Sequence, residues 1–369
     1  MTSFLTKKKT RESFDERIST EPIGTQLCKK YAIKIFGDFV AEKYSGKTID
    51  DIIKELNLIR NSQNQQTYEE ALYGVLQDWI NWNESRGLGN YTIRIAFSNL
   101  RRYLFHLGIK THEQDIKEYL RFGKRVKEER HPLSAEEYRN IVSGFSRNPR
   151  VQAFLLMLGS SGMRMGEALK LKKKDLDFTT KRVKVNIPAD TKTRTGRSTF
   201  ISNEAKRKLE PFLEKMSSED YIFGKHGKVP HIHNFSRAMI RMLDKLEMNE
   251  RYQSNSFRKI STHSFRAYFF TKAARKHGEN YAHRLVGHGG YLMQYDRMTE
   301  EEKLQMYLEL EPDLVIYDQT KNELEINRLR DKVEGLDELK QEVRKLREQQ
   351  ANSDKKILET IRKEGILSN

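Results

Sequence analysis

Apolar residues recur at helical spacing through the first third of the chain. In YAIKIFGDFVAEKY, which begins at Tyr31, the apolar positions lie three and four apart. TYEEALYGVLQDWINWNESRGL opens with a cap-like Thr67, carries Glu70 at capping-box spacing and closes at Gly87. NYTIRIAFSNLRRYLFHLG places Ile93, Phe97, Leu100 and Leu104 on one side and stops at Gly108. Trp79 and Trp82 share a face and read as core. The pattern predicts a helical domain over residues 21–120, preceded by a basic arm over 1–20 that is expected to be flexible.

The pattern then breaks. RFGKRVKEER, Arg121 to Arg130, is almost all charge and leads into HPLSAEEY, a proline-bearing helix start, so 121–133 reads as a linker. Residues 134–318 mix periods. SAEEYRNIVSGF and VQAFLLMLGSSG read as helices, whereas RVKVNIPADTKTRTGRSTFIS alternates, is rich in β-branched residues and turns near Thr195-Gly196. Beyond Asp318 the character changes again. Ile326, Leu329, Val333 and Leu336 follow 3,4 spacing, as do Leu336, Leu339, Val343 and Leu346, and the two frames join through a stammer-like skip near Gly335. The expected fold is mainly α with a small β-sheet: a helical domain, a mixed α/β domain, and a coiled-coil or oligomerisation tail over 319–369.

Charge sharpens this picture. Lys and Arg number 68 against 52 Asp and Glu, a net charge of +16. Such an excess points to a polyanionic partner, with nucleic acid the leading candidate. The tail from Lys321 to Arg362 is nearly balanced, with 11 bases against 10 acids, so the excess lies upstream. Cys28 is the single cysteine, which excludes an internal disulfide framework and favours a reducing, cytoplasmic setting. No stretch approaches the ~18 apolar residues of a membrane span, and no membrane partner is expected.

The candidate chemistry centres on HSFRAYFF. On a helix, His263 and Arg266 share a face. Upstream, SGMRMGEALKLKKKDLDF offers Arg164 after a Gly162 turn, with Glu167 one helical turn on. Downstream, HRLVGHGGYLMQYDRMTEEEKLQMYLE offers His288 between glycines, then Tyr291 and Tyr295. Between these lies Lys192, in DTKTRTGRS, on the expected hairpin. This set suits phosphoryl transfer without metal. Two guanidiniums can hold the non-bridging oxygens of a phosphodiester by charge-assisted hydrogen bonds, and imidazole N–H groups add donors. A tyrosine hydroxyl, with a pKa near 10, needs a strongly cationic site or a base to become a nucleophile. A lysine can protonate the departing 5′ oxygen, leaving a 3′-phosphotyrosyl link. Lys172 to Lys174, Arg194 and Arg197 are basic neighbours that read as a solvated face or phosphate contacts. Tyr307 is a third tyrosine, on an expected helix. HIH at His231 to His233 alternates like a strand and lacks a cysteine or carboxylate cluster, so no metal site and no cofactor is expected.

Arg164–Met–Gly–Glu167, Lys192 in a hairpin, His263–Ser–Phe–Arg266, Gly287-His288-Gly289 and a following tyrosine together resemble the tyrosine recombinases, or phage-type integrases. QYDRMTEEEKLQMYLE is similar in style to archaeal integrases. The resemblance covers about Leu133 to Asp318, and Gln26–Leu107 is similar to the family's helical core-binding domain. It implies catalytic roles for Arg164, Lys192, His263, Arg266, His288 and Tyr295, with Glu167 buttressing an arginine. It also implies a two-domain clamp on double-stranded DNA, working as a homo-tetramer on two recombining sites. The expected function is a site-specific recombinase, the integrase of a mobile element. A type IB topoisomerase shares most of these residues but usually lacks the first histidine of HxxR. A non-catalytic DNA-binding protein on the same fold would have no need of the full set, and a carboxylate-based transposase finds no acidic triad here.

Overall fold

The computed structural model describes residues 9–62, 64–124, 127–189, 196–224, 228–288 and 297–363, with the backbone alone for 360–363. The chain divides into two compact units. One comprises residues 1–129 with 252–257, the other 130–251 with 258–369.

The first unit is helical: α1 (Arg11–Ile18), α2 (Ile23–Lys43), α3 (Ile49–Ser62), α4 (Gln65–Ser85), α5 (Asn90–His106) and α6 (Glu113–Tyr119). Its core is aromatic, with Phe36, Phe39, Tyr73, Trp79 and Tyr103 buried and edge-on contacts such as Phe36–Trp79. Ile93, Phe97, Leu100 and Leu104 are all buried, as the periodicity of α5 requires. Trp79 is core, whereas Trp82 is half-buried and carries the Arg86 guanidinium 4.2 Å from its ring.

Two expectations are corrected here. The segment 11–18 is not a free arm. Thr10 caps α1, and Phe14 and Ile18, one turn apart, are buried in the first core. Thr67 is not the cap of α4 either. Asn64 is, accepting from the Thr67 amide at 2.8 Å, so the helix begins with two glutamines that carry no apolar signal.

The second unit contains α7 (Ala135–Gly144), α8 (Pro149–Ser161), α9 (Met165–Ala168), β1 (Leu176–Asp177), β2 (Val183–Ile187), β3 (Arg197–Ile201), α10 (Asn203–Leu213), α11 (Ile232–Lys245), α12 (Thr262–His277), α13 (Glu279–Val286), α14 (Glu300–Leu314) and α15 (Asp318–Lys363). The strands form one antiparallel sheet in the order β1-β2-β3, with Val185 opposite Thr199 and Ile187 opposite Arg197. β1, only two residues long, has no legible sequence signal. Every residue of α8 from Val151 to Ser161 is buried, so this helix, apolar all round, is the axis of the unit. The Tyr307 hydroxyl of α14 donates to the Ser160 carbonyl at 2.7 Å. His231 to His233 is not a strand, because His231 caps α11 and His233 lies in its first turn.

The entry to α15 is fixed to the second unit. Glu204 accepts from the amides of Ile316 and Tyr317 at 3.2 and 3.0 Å, and Arg139 donates to the Ile316 carbonyl at 2.6 Å. Thr320 and Leu324 are buried, and beyond Leu324 every described side chain of α15 is exposed. Among the described residues, no helix is long and apolar enough to cross a membrane.

Candidate active site

The site grows from the end of α8. Gly162 adopts a left-handed conformation (φ 65°), which ends the helix and redirects the chain. A Cβ there would also meet Phe269 at 2.4 Å and Val286 at 2.8 Å. Two residues on, Arg164 stands at the N-terminus of α9. Its amide donates to Glu167 Oε2 at 2.9 Å and its guanidinium to Oε1 at 2.8 Å.

α12 presents the next groups. Phe265 and Phe269 enter the core, and the stripe His263, Arg266, Phe270 lies beside them at i, i+3 and i+7. Arg266 is only 4% exposed. One of its terminal nitrogens donates to the Gly162 carbonyl at 2.5 Å, and the other, Nη2, is buried without a hydrogen-bond partner. Burial and the nearby Arg164 push its pKa down to about 10, with Glu167 opposing, and it remains cationic at neutral pH. A buried guanidinium with an unused donor is costly unless an anion completes it.

α13 ends at Gly287, again left-handed (φ 72°), and His288 follows. His288 Nδ1 lies 3.0 Å from His283 Nδ1, and the Phe270 ring packs on both imidazoles. The pKa values of His263 and His288 are both lowered, by partial desolvation first and then by Arg266, with Arg164 also contributing. Both rings keep solvent contact and are held neutral over a wider range than a free histidine.

Glu167 proves to serve two arginines. It is buried, and besides Arg164 it binds Arg197 of β3, whose Nη2 lies 2.6 Å from Oε2 and Nη1 3.3 Å from Oε1. Burial raises the Glu167 pKa, but the bonds from Arg197 and Arg164 outweigh it and leave it lowered. Arg197 also donates from Nε to the Leu285 carbonyl at 3.0 Å, and a Cβ on Gly287 would meet its Cδ at 2.7 Å. One side chain thus joins α9, β3 and the end of α13. Arg164 and Arg197 bind this one carboxylate and Arg266 lies close enough to feel all three, so among the described residues cations outnumber anions here.

The structure therefore brings Arg164, Glu167, Arg266, His263 and His288 into one electrostatic neighbourhood. Lys192, Tyr295, Tyr291, Arg194 and Gly289 lie outside the described residues. Tyr307 is fully buried in the core, which leaves its hydroxyl out of reach of an external phosphate. Sequence reasoning missed Arg197 as a partner of Glu167 and His283 as a partner of His288. It also missed the anchor of α14, where buried Lys303 bonds Ser198 Oγ at 2.7 Å and pairs with Glu300, itself 3.2 Å from Lys184. Among the described residues, no group of three His, Cys, Asp or Glu side chains is placed to hold a metal ion.

Residues 131–291 match the model of the phage integrase family, a match over somewhat less than half of the chain. No curated protein matches the chain. Among solved structures, a lambda integrase dimer bound to a COC′ core site is similar at a TM-score of 0.53 and 16% identity, covering 78% of this chain and 79% of that one. A lambda integrase fragment bound to DNA gives 0.50 at 14% identity, covering 79% and 93%. The fold is therefore the tyrosine-recombinase catalytic fold, mostly helical with a small three-stranded sheet. Of the six residues expected to be catalytic, five lie within the span of the family match and Tyr295 lies beyond it.

Proposed function

We propose that this chain is a site-specific DNA recombinase of the integrase type. It cleaves and rejoins duplex DNA through a 3′-phosphotyrosyl intermediate, without metal. The observation that carries this reading is the unpartnered, buried Nη2 of Arg266 beside the Arg164–Glu167–Arg197 cluster, inside the segment that matches the phage integrase family. Arg164 and Arg266 take the non-bridging oxygens of the scissile phosphate, and the charge that grows there strengthens both contacts. His263 and His288, held neutral, can donate to the same oxygens or accept a proton from the attacking hydroxyl. Tyr295 attacks, the phosphorus–5′ oxygen bond breaks, and Lys192 protonates the departing oxygen. Reversal by a new 5′ hydroxyl seals the exchanged strand. Glu167 positions the arginines.

On this reading the protein acts on DNA in the cytoplasm of its host. It serves a mobile element, uses its helical unit as further DNA-binding surface, and joins two sites as a tetramer.

The test is covalent capture. With the crossover site selected from random duplexes, a nicked suicide substrate should trap an adduct at the 3′ phosphate, in the presence of a chelator. Tyr295→Phe should abolish the adduct and leave binding near normal. An adduct that survives this change assigns the nucleophile to another tyrosine, and a requirement for Mg²⁺ in the chemical step overturns the mechanism.

A further inference from the structure

α15 carries an apolar seam that nothing in its own unit covers. Ile326, Leu329, Val333, Leu336, Leu339, Val343 and Leu346 are each 41–56% exposed. In the heptad set by Ile326 and Leu329, Leu324 and Asp331 occupy the position opposite the seam. Both face the body of the unit, as Thr320 and Glu323 do before them: Leu324 is buried, Asp331 lies 3.4 Å from Lys181, and Glu323 lies 2.6 Å from Arg207. The helix is docked by its back, and the seam is turned outward over about 30 Å.

We infer that this seam pairs with the same seam of a second copy of the chain, as a parallel two-stranded coiled coil. Apolar matching alone does not choose the direction. The seam is symmetric about Leu336, so an antiparallel partner would also match, Ile326 to Leu346, Leu329 to Val343 and Val333 to Leu339. The flanking charges choose. In a parallel pair each residue preceding an a position faces the residue five further along the partner. Those pairs are Glu325 with Arg330, Lys332 with Asp337, and Glu342 with Arg347, all opposite in sign, and Gly335 faces Lys340 without conflict. Asp337 is also within 3.2 Å of Lys340 on its own helix, which keeps it on the seam's edge. The antiparallel arrangement would set Lys332 against Glu342 but Arg330 against Lys340, a repulsion repeated by symmetry. The skip at Leu336 falls at one level in both strands of a parallel pair, so it costs local overwinding without loss of register. The inference stands on α15 alone and goes beyond the recombination chemistry. It would set two catalytic units at the same end of one helix pair.

Cysteine scanning of the full chain, with exposed Cys28 first changed to Ser, tests both partner and direction. A parallel seam places Leu329 against Leu329, so Leu329→Cys alone should give a disulfide-linked dimer on mild oxidation, and Val333→Cys should do the same. A dimer formed only when Leu329→Cys is mixed with Val343→Cys would show antiparallel pairing and overturn the inference. A monomeric mass by sedimentation at micromolar and higher concentrations, with no cross-link at either position, would also overturn it. Independently, Glu342→Lys should weaken dimerisation by roughly tenfold, and adding Arg347→Glu should restore it. Failure of the second change to rescue the first would count against the parallel register.

Discussion

The two units share an apolar interior but differ in how much charge they bury within it. In the first, Lys29 and Asn83 are the buried polar side chains among the described residues, and each has a local partner: Glu21 at 2.5 Å for Lys29, the Trp79 carbonyl at 2.8 Å for Asn83. The rest of its interior is aromatic and aliphatic, and among the described residues its other lysines and arginines keep solvent contact. The second unit buries Glu167, Glu204, Glu311, Arg266 and Lys303 and several hydroxyls within a core that is otherwise equally apolar. Burying charge rarely stabilises a fold more than apolar packing would. Under the proposed function the contrast separates two ways of meeting a phosphate: the first unit offers many surface cations, whereas the second holds a few in fixed, buried positions.

The largest effects should come from removing one member of each interior. Trp79→Ala should cost the first unit about 3–5 kcal/mol by thermal or denaturant unfolding, through lost burial and a residual cavity. Glu167→Leu should cost the second unit a comparable ~3–5 kcal/mol, because Arg197, its side chain only 8% exposed, loses its carboxylate partner. A Glu167→Leu protein as stable as the parent would erase the distinction drawn between the two cores.

Arg266→Met should split stability from chemistry. It replaces a buried cation bearing an unused donor with an apolar chain of similar length. The unliganded protein should be as stable as the parent or more so, while strand cleavage falls by about 10²-fold or more. Equal loss of both would assign Arg266 a structural role.

A smaller effect concerns pH. His263 and His288 have folded-state pKa values below that of a free histidine. The unfolded chain therefore binds more protons than the folded one once the pH drops below about 6.5. The contribution of these two histidines to the stability of the DNA-free protein should be flat above that point and decline as pH falls through the lower folded values. It is read as the difference between the parent and a variant lacking both, because buried Glu204, raised to about 7, titrates in both. A bound phosphate offsets the surrounding cations and should reduce the decline. A His263→Gln, His288→Gln double variant should lack it. The smallest effect should come from an exposed cation of the first unit. Arg102→Gln should change stability by under ~0.5 kcal/mol and lower the salt slope of DNA binding by at most about 0.9.

Much of this arrangement was legible beforehand because it rests on local period. Ile93, Phe97, Leu100 and Leu104 announce α5, and the HxxR spacing in HSFRAYFF places His263 and Arg266 on one face of α12. Glu167 as a buttress of Arg164 follows from a separation of three residues. What was missed depends on elements far apart in sequence. Arg197 sits in a run of basic residues, and nothing local distinguishes the one that reaches Glu167, because only the placement of β3 beside α9 does so. Lys303 looks like any lysine of an acidic helix start until Ser198 of that same strand is brought to it. His231 to His233 misled because three alternating residues fit either period. In α1, Phe14 and Ile18 did carry a helical signal, but one apolar pair among charges is too weak to separate a packed helix from an arm.

Gly162 links the two arginines proposed to hold the phosphate. Its carbonyl receives Arg266, and Arg164 follows it by two peptide units. The gap between the guanidiniums is thus gauged partly by covalent backbone rather than by side-chain rotamers alone. It works as a caliper with one jaw built into its frame: Arg164 branches from the backbone that Arg266 hydrogen-bonds, and Glu167 holds the Arg164 guanidinium in place. It also cannot be reset one jaw at a time: a substitution that moves residue 162 displaces both contacts together. Residue 162 is itself hard to change, because the left-handed backbone and the contacts with Phe269 and Val286 leave no room for a larger residue.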